Sequence, residues 1–442
     1  MTEHDYKGKK VAFYTLGCKL NFAESSSMAR KFEEMGFERV DYKEEADVYV
    51  INSCTVTAES DKKSRNLIRS AMKRNPNAVM MVTGCYAQLK SDEVAHLKGV
   101  DYVLGSGEKM NITSYVNGLE KNEAPIVRVT DHRKIKNFFS SYSYGDRTRT
   151  FLKVQDGCNY FCTFCTIPMA RGMSRNDSIE NTVAEARKVV AKGTREIILT
   201  GVNIGDFGRS TGEKFIDLLK ALDEVEGLER IRISSVEPNL LTDEIIEFVA
   251  ASKRFVPHFH IPLQAGSNEV LALMKRKYQR EVFAERVERI KALMPDAFIG
   301  VDVIAGTNGE TDDFFKDSYQ FVVDQDVSQL HVFPYSERPG TFALKIPHVV
   351  PVPERKARVQ RYLDLSERKL SMFYQSQLGK TRKVLFEHQQ KGDRIFGWTD
   401  NYVRVEAPWD EQLANQVIDF ELREINQHGH VEGVQVYAHA GQ

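Results

Sequence analysis

Six cysteines in the 442-residue sequence fall into two sets of three, and thiolates in such sets can hold iron or zinc. A compact set, spaced C-x3-C-x2-C, consists of Cys158, Cys162 and Cys165. A dispersed set, in which each cysteine follows Gly or Ser, consists of Cys18, Cys54 and Cys85. Structural zinc usually takes four ligands in C-x2-C pairs, which neither set provides. Three thiolates on a four-iron cluster leave one iron open for chemistry, so each set suggests such a cluster.

The dispersed set lies in a segment where short apolar runs alternate with helical patterns. The apolar runs at 11–16, 47–52 and 78–83 each end just before one of its cysteines. This alternation predicts a parallel sheet, and ligands bind such sheets outside the carboxyl ends of the strands. We therefore expect the three cysteines to converge on one rim of the sheet. The alternative is three unrelated buried thiols, since cysteine is often a small core residue.

A second alternation of strands and helices follows the polar, basic segment 122–150. Its six candidate strands lie at 151–155, 195–200, 230–235, 258–262, 298–304 and 328–333. Six βα units predict a barrel or partial barrel with the active site at the carboxyl ends of its strands. Polar or glycine-containing loops follow the middle strands at 201–203, 235–238, 264–267 and 306–310. Each of these loops has an ordinary composition for a loop, but together they indicate that one ligand binds over the barrel mouth.

The last hundred residues predict a long helix at 353–378 and then a small β domain. After Gly379, short β runs alternate with turns, which predicts an all-β barrel of a kind common in RNA-binding proteins. The formal net charge of −1 does not indicate a polyanion partner, so an RNA site requires local charge asymmetry. No run of eighteen apolar residues occurs, and the N-terminus lacks the apolar core of a signal peptide. We therefore expect a cytoplasmic protein with no membrane partner.

The motif around the compact set resembles the radical S-adenosylmethionine superfamily. It reads Gly157-Cys158-Asn159-Tyr160-Phe161-Cys162-Thr163-Phe164-Cys165, with an aromatic residue before the last cysteine. The resemblance implies a [4Fe-4S] cluster whose open iron binds S-adenosylmethionine. One electron then splits the sulfonium and gives a 5'-deoxyadenosyl radical, while the protein supplies binding, orientation and exclusion of water.

Further motifs are similar to those of methylthiotransferases, and the match covers nearly the whole chain. They are the extension at 166–172, the stretch His-Ile-Pro-Leu-Gln-Ala-Gly-Ser at 260–267, the dispersed set, and a terminal β domain similar to the TRAM domain. In that family the dispersed cysteines hold a second [4Fe-4S] cluster, which carries sulfur to the substrate. Segments 15–21, 52–57 and 155–158 are most like the branch that modifies N6-threonylcarbamoyladenosine at position 37 of tRNA. The other branches modify isopentenyladenosine in tRNA or an aspartate of a ribosomal protein.

The expected fold class is α/β, with four segments along the chain. Residues 1–125 are expected to form a parallel-sheet domain that carries the second cluster, followed by a linker at 126–150. Residues 151–375 are expected to form a partial (β/α)6 barrel, and 376–442 a TRAM-like β-barrel that binds RNA. The resemblance implies that S-adenosylmethionine is surrounded by Phe164, Gly201, Asn203, Ser235, Glu237, Gln264, Ile304 and Phe333. A carboxylate at Glu237 could accept hydrogen bonds from ribose hydroxyls or the methionine ammonium, although it could equally be an acid at a helix N-terminus.

The strongest local signal for RNA binding is a cluster of basic residues near the start of the C-terminal β domain. The candidate phosphate contacts are Lys356, Arg358, Arg361, Lys380, Arg382 and Lys383. The alternative is a solvated helix face, which is the usual role of such a run.

The sequence thus leads to a hypothesis of two-cluster methylthiolation of tRNA at carbon 2 of N6-threonylcarbamoyladenosine 37. An electron donor such as flavodoxin or ferredoxin and a sulfur source are the expected partners besides tRNA. The alternatives are methylthiolation of isopentenyladenosine or of a ribosomal protein, and a non-catalytic iron–sulfur protein that binds RNA.

Overall fold

The fold is taken from a computed structural model, which describes residues 6–116, 118–145 and 147–437. The first five residues, on which the expected lack of a signal peptide partly rests, lie outside the described part. Within these ranges, no helix is both long enough and apolar enough to cross a membrane.

The N-terminal domain is built on six parallel strands. They are β1 (Lys10–Thr15), β2 (Glu38–Val40), β3 (Val48–Ser53), β4 (Val79–Gly84), β5 (Tyr102–Leu104) and β6 (Ile126–Arg128). Their order in the sheet is β2-β1-β3-β4-β5-β6. Every residue of β3 and β4 is buried, because helices cover both faces of a parallel sheet. Val48 and Val50 belong to one apolar core, and Tyr49 and Ile51 to the core on the other face.

Six further parallel strands form the central partial barrel. They are β7 (Thr150–Lys153), β8 (Glu196–Thr200), β9 (Arg230–Ile233), β10 (His258–Gln264), β11 (Phe298–Ala305) and β12 (Gln329–Pro334). They pair as β7-β8-β9 and β10-β11-β12, and a parallel bridge between Ser235 and His260 joins the two sheets. All six strands lie close to their expected positions, so the predicted partial barrel is confirmed.

Five strands at the C-terminus close into a small barrel, as predicted. They are β13 (Thr381–Phe386), β14 (Arg394–Thr399), β15 (Arg404–Pro408), β16 (Val417–Ile425) and β17 (Val431–Gln435). Their order is β13-β14-β15-β17-β16. Strand β14 is hard to recognise in the sequence, because Gly397 interrupts its short apolar run. A side chain at Gly397 would come within 2.9 Å of the carbonyl of Leu385, so the paired strands approach closely there.

Helices connect the strands and cover the sheets. The α-helices are α1 (Lys19–Glu34), α2 (Ala58–Arg74), α3 (Cys85–Leu89), α4 (Ser91–Ala95), α5 (Ile167–Arg171), α6 (Ile179–Val190), α7 (Phe215–Asp223), α8 (Asp243–Ala251), α9 (Asn268–Leu273), α10 (Arg280–Leu293), α11 (Asp312–Asp324) and α12 (Val352–Gln377). Short 3-10 helices lie at Lys109–Tyr115, His132–Lys134, Ile204–Asp206, Phe342–Lys345 and Glu411–Leu413.

The segment 126–150, predicted as a linker, packs along α1. Arg30 donates to the carbonyl of Tyr142 at 3.0 Å, and its guanidinium lies 4.0 Å from the centre of the Tyr142 ring. Tyr142 in turn forms an antiparallel bridge with Leu152 on β7. The segment therefore fixes α1 against the first strand of the partial barrel.

The C-terminal barrel covers the amino-terminal end of the partial barrel through two buried arginines. Arg230 and Arg232 each form an ion pair with Glu196 at 3.0 Å. They also donate to backbone carbonyls of the C-terminal barrel, Arg230 to Trp398 at 3.2 Å and Arg232 to Asp400 at 3.0 Å. Burial raises the pKa of Glu196, but the two arginines outweigh burial and lower it to about 2.

Glu196→Gln is expected to lower the free energy of unfolding by about 3–5 kcal/mol, because two buried arginines lose their counter-charge. Glu229→Gln is the matched control, since it removes the exposed pair with Arg195 and should cost less than about 1 kcal/mol. Urea unfolding measures both. The Glu196 contribution should be complete above pH 4.5 and disappear as pH falls towards about 2. Equal losses in the two variants would contradict this account.

Candidate functional site

The dispersed set lies at the carboxyl ends of three neighbouring strands. Cys18 precedes α1, Cys54 directly follows β3, and Cys85 is the first residue of α3 after β4. Gly17 has a φ of +101°, and a Cβ there would lie 3.1 Å from Sγ of Cys54, so the Cys18 loop passes directly over that thiol. Burial raises the pKa of Cys54 to about 11, and the nearby thiols of Cys85 and Cys18 add to the shift. The structure therefore brings the three cysteines together, with Cys18 exposed and the other two buried.

The compact set lies in the loop between β7 and α5, and each of its sulfurs accepts one N–H. Tyr160 N donates to Cys158 Sγ at 3.4 Å, and Ile167 N donates to Cys165 Sγ at 3.5 Å. Burial raises the pKa of Cys158 and of Cys165 to about 12. A bound metal cation would reverse this effect, because it stabilises the thiolate form.

The donor geometry fits a cluster better than a single metal ion. In the part of the chain that the structure describes, no three His, Cys, Asp or Glu side chains are close enough to share one ion. A four-iron cluster spreads its ligands over the corners of a cube, so its cysteines need not be in mutual contact. Three thiols in one short loop with N–H donors at their sulfurs suit that role.

A cavity of about 240 Å³ lies beside the compact set. Its barrel wall contains four of the residues predicted to surround S-adenosylmethionine, namely Phe164, Gln264, Ile304 and Phe333. Cys165 also lines it, as do Val56 and Thr57, which follow Cys54. The cavity is therefore lined by one cysteine of the compact set and by the loop that comes after Cys54 of the dispersed set.

The other four predicted cofactor residues lie at the barrel mouth but outside the lining of this cavity. Gly201 follows β8, where a Cβ would lie 2.9 Å from the carbonyl of Gln155, so the backbones pack closely. Asn203 is 3% exposed, and neither atom of its amide group has a hydrogen-bond partner. A buried amide without partners is costly, so Asn203 is suited to receive a polar ligand. Ser235 itself forms the parallel backbone bridge with His260.

Glu237 has a partner that the sequence did not reveal. Arg276 donates one guanidinium N–H to the Glu237 carboxylate and another to Cys162 Sγ, the latter at 3.1 Å. Burial raises the pKa of Glu237, although Arg276 opposes the shift. Arg276 lies in a basic run, Lys275-Arg276-Lys277, which would ordinarily indicate a solvated surface. Only the fold shows that its middle member turns inward against a cysteine of the compact set.

A buried ion network connects the loops that carry the two cysteine sets. It contains two carboxylates and four cations, each no more than 6% exposed: Glu24, Asp156, Lys109, Lys153, Arg171 and Arg175. Arg171, on α5, bonds Glu24 at 3.1 Å, Asp156 at 2.9 Å and the amide oxygen of Asn21 at 2.5 Å. Burial raises the pKa of Glu24, but Arg171 and the two lysines outweigh it, so the carboxylate stays charged. Because Asn21 and Glu24 lie on the helix that Cys18 begins, the network fixes that helix against the compact set.

A second clamp holds the Cys54 loop. Arg338, which follows β12, donates to Thr55 at 2.5 Å and to Asp61 at 2.7 Å. Lys90, after α3, also pairs with Asp61 at 3.0 Å. The loops after Cys54 and Cys85 are thereby joined to the carboxyl end of the partial barrel.

The six predicted RNA contacts are in three different environments. Arg358 is wrong as a phosphate contact, because it is 3% exposed and pairs with Glu310 at 2.8 Å and Asp312 at 2.6 Å. Lys380 and Arg382 pair with Asp296 where the partial barrel meets the C-terminal barrel. The exposed candidates are Lys356, Arg361 and Lys383.

Arg276→Met is expected to make the cluster of the compact set harder to reduce, because it removes a positive charge and an N–H donor from the Cys162 sulfur. A redox titration followed by electron paramagnetic resonance should show a more negative midpoint potential. Lys275→Met is the matched control, since Lys275 is the adjacent residue and its side chain is exposed. An unchanged potential in Arg276→Met would contradict this role.

Comparisons with known proteins match two large parts of the chain. Residues 10–105 match the family described as Uncharacterized protein family UPF0004, and residues 152–322 match the Radical SAM superfamily. The chain is 41% identical over 421 residues to the threonylcarbamoyladenosine tRNA methylthiotransferase MtaB of Bacillus subtilis, with 93% of each chain covered. It is 29% identical over 424 residues to the tRNA-2-methylthio-N(6)-dimethylallyladenosine synthase of Clostridium botulinum, covering 93% of this chain and 94% of that protein.

A solved structure shares the fold of the larger part of the chain. The radical S-adenosylmethionine methyltransferase TsrM from Kitasatospora setae has a TM-score of 0.53 at 14% identity, covering 74% of this chain and 73% of that chain. Two matched domains and 41% identity along nearly the full length settle the family. This chain is an enzyme of the radical S-adenosylmethionine tRNA methylthiotransferase family.

Proposed function

We propose that this enzyme inserts a methylthio group at carbon 2 of N6-threonylcarbamoyladenosine at position 37 of tRNA. The observation that carries the proposal is the cavity beside Cys165, which has walls from both the N-terminal domain, at Val56 and Thr57, and the partial barrel. A base placed there is next to Cys165 and to the loop that follows Cys54. The identity to MtaB of Bacillus subtilis, 41% against 29% for the dimethylallyladenosine synthase, favours the threonylcarbamoyl substrate.

In this proposal the compact set holds one [4Fe-4S] cluster and the dispersed set holds the other. When bound, these groups and S-adenosylmethionine supply the radical chemistry, the sulfur and the methyl group. The contribution of the chain itself is to hold the two cysteine sets in position. The buried ion network and the Arg338 clamp hold the loops that carry the two sets close to one cavity, so a base bound there does not have to move between two sites.

The side chains around the cavity supply orientation and shielding. Arg276 and Glu237 offer opposite charges next to Cys162, which suits the carboxylate and ammonium of a methionine group. Asn203 offers an unused buried amide. Phe164, Ile304 and Val56 give the cavity an apolar wall, against which a base can pack.

Exposed basic side chains and the C-terminal barrel are the proposed contacts for tRNA. Lys356, Arg361 and Lys383 remain available for phosphates, and α2 adds exposed Lys62 and Lys63. The target base has to leave its stack to enter the cavity. We place the reaction in the cytoplasm, with a flavodoxin or ferredoxin as electron donor and a separate sulfur source.

Deleting the gene is expected to abolish the 2-methylthio-N6-threonylcarbamoyladenosine signal in tRNA nucleosides and leave N6-threonylcarbamoyladenosine in its place. Mass spectrometry of digested tRNA measures both. The wild-type gene should restore the signal, and Cys158→Ala should not. An unchanged signal in a strain with no second enzyme for this step would overturn the proposal. Loss of the dimethylallyl derivative instead would favour the other tRNA substrate.

Anaerobic reconstitution is expected to load about eight irons per chain, in two clusters of about four each. The double variant Cys54→Ala/Cys85→Ala should retain about four irons and should still cleave S-adenosylmethionine without modifying tRNA. Iron analysis and measurement of 5'-deoxyadenosine test this. About four irons in the wild-type chain would contradict a cluster at the dispersed set.

A further inference from the structure

The interior of the partial barrel is charged, which is unusual for a barrel core. In β9 to β12, apolar residues that pack against the outer helices alternate with residues that face inward, and several of these are polar. In β9 the outward residues are Ile231 and Ile233, which belong to the main apolar core, whereas Arg230 and Arg232 alternate with them. The same alternation places these side chains inside: His258, His260, Asp302 and His331.

One further cation enters this interior from the N-terminal domain. Phe22 and Ala23 on α1 pack against Phe151 and Ile198, which are inward-facing residues of β7 and β8. Lys19 lies one turn before them on the same face of α1, because residues i, i+3 and i+4 share a helix face. Its electrostatic neighbours include Asp302, on the barrel wall, and Arg232 deeper inside. Lys19 therefore extends into the barrel directly beside Cys18.

The acidic groups around Lys19 do not form an ion pair with its ammonium. Its ammonium forms no hydrogen bond or ion pair with any residue in the described ranges. Asp302 is already bonded to His260 at 2.7 Å, and Glu196 is shared by Arg230 and Arg232. Arg149, another electrostatic neighbour of Lys19, has its Nη1 buried without a hydrogen-bond partner. An anion beside these cations would offset both their mutual repulsion and the cost of their burial.

We propose that Lys19 binds the carboxylate of the threonyl group on the target base. This inference rests on the proposed function, in which the base enters between the two cysteine sets. The threonylcarbamoyl substituent ends in a carboxylate, whereas the dimethylallyl substituent is an uncharged hydrocarbon. A cation next to Cys18 can thus select the substrate by charge at the point where sulfur is delivered.

The test compares two anticodon stem-loop RNAs that differ only in whether residue 37 carries the threonylcarbamoyl group. Reconstituted wild-type enzyme should bind the modified RNA more tightly than the unmodified one. Lys19→Met should reduce that ratio about tenfold to hundredfold, and Lys19→Arg should restore most of it. Lys188→Met, which removes an exposed lysine on the outer helix α6, is the control and should leave the ratio unchanged.

Three readouts separate this role from a structural one. Lys19→Met should retain the wild-type iron content, its affinity for S-adenosylmethionine and its thermal unfolding temperature, since the side chain has no partner to lose. A ratio unchanged in Lys19→Met, or an equal loss of affinity for both RNAs, would overturn the inference. Wild-type enzyme that does not methylthiolate the modified RNA at all would overturn the proposed function itself, which is a different result.

Discussion

Opposite charges buried between two domains are the constraint on which the rest of this structure depends. Arg171 bonds Glu24 on the helix that Cys18 begins and Asp156 in the loop that leads to Cys158. Removing these charges from water is costly, so the network is stable only in an arrangement in which every charged group is paired. That requirement fixes the distance between the two cysteine sets far more tightly than a flexible linker would.

The cavity and its charged surroundings follow from this arrangement. Parallel strands in both domains present their carboxyl ends to the same space, and the Arg338 clamp brings the Cys54 loop to that space as well. The apolar outer faces of the barrel strands are used for packing against helices, which leaves the inward faces free to carry charge. Chemistry is therefore concentrated between the domains, where water can be excluded and a substrate held from two sides.

Much of the fold could be predicted from the sequence, because short apolar runs that alternate with helical patterns have few solutions. The convergence of Cys18, Cys54 and Cys85 followed from their positions after strands. Arg276 could not be found in this way, since a basic run gives no sign of which member turns inward. The prediction that Arg358 contacts phosphate was wrong for the same reason. The sequence predicts an exposed charged residue on a helix, but α12 packs against α11 and Arg358 is buried in ion pairs with Glu310 and Asp312.

The charged barrel interior did leave a signal in the sequence. Strand β9 reads Arg-Ile-Arg-Ile and β10 begins His-Phe-His-Ile, which is the period-two alternation of a strand with one apolar and one polar face. A barrel strand of that type has to enclose something polar. Lys19 carries no such pattern, because its role depends on how the domains dock.

The central claim is that the two cysteine sets hold two clusters close to each other beside one cavity. Electron paramagnetic resonance of the fully reduced, reconstituted enzyme tests it most directly. Two clusters in that arrangement should give a broadened, spin-coupled spectrum that simplifies in the Cys54→Ala/Cys85→Ala variant. A wild-type spectrum equal to the sum of two independent cluster signals would contradict the account.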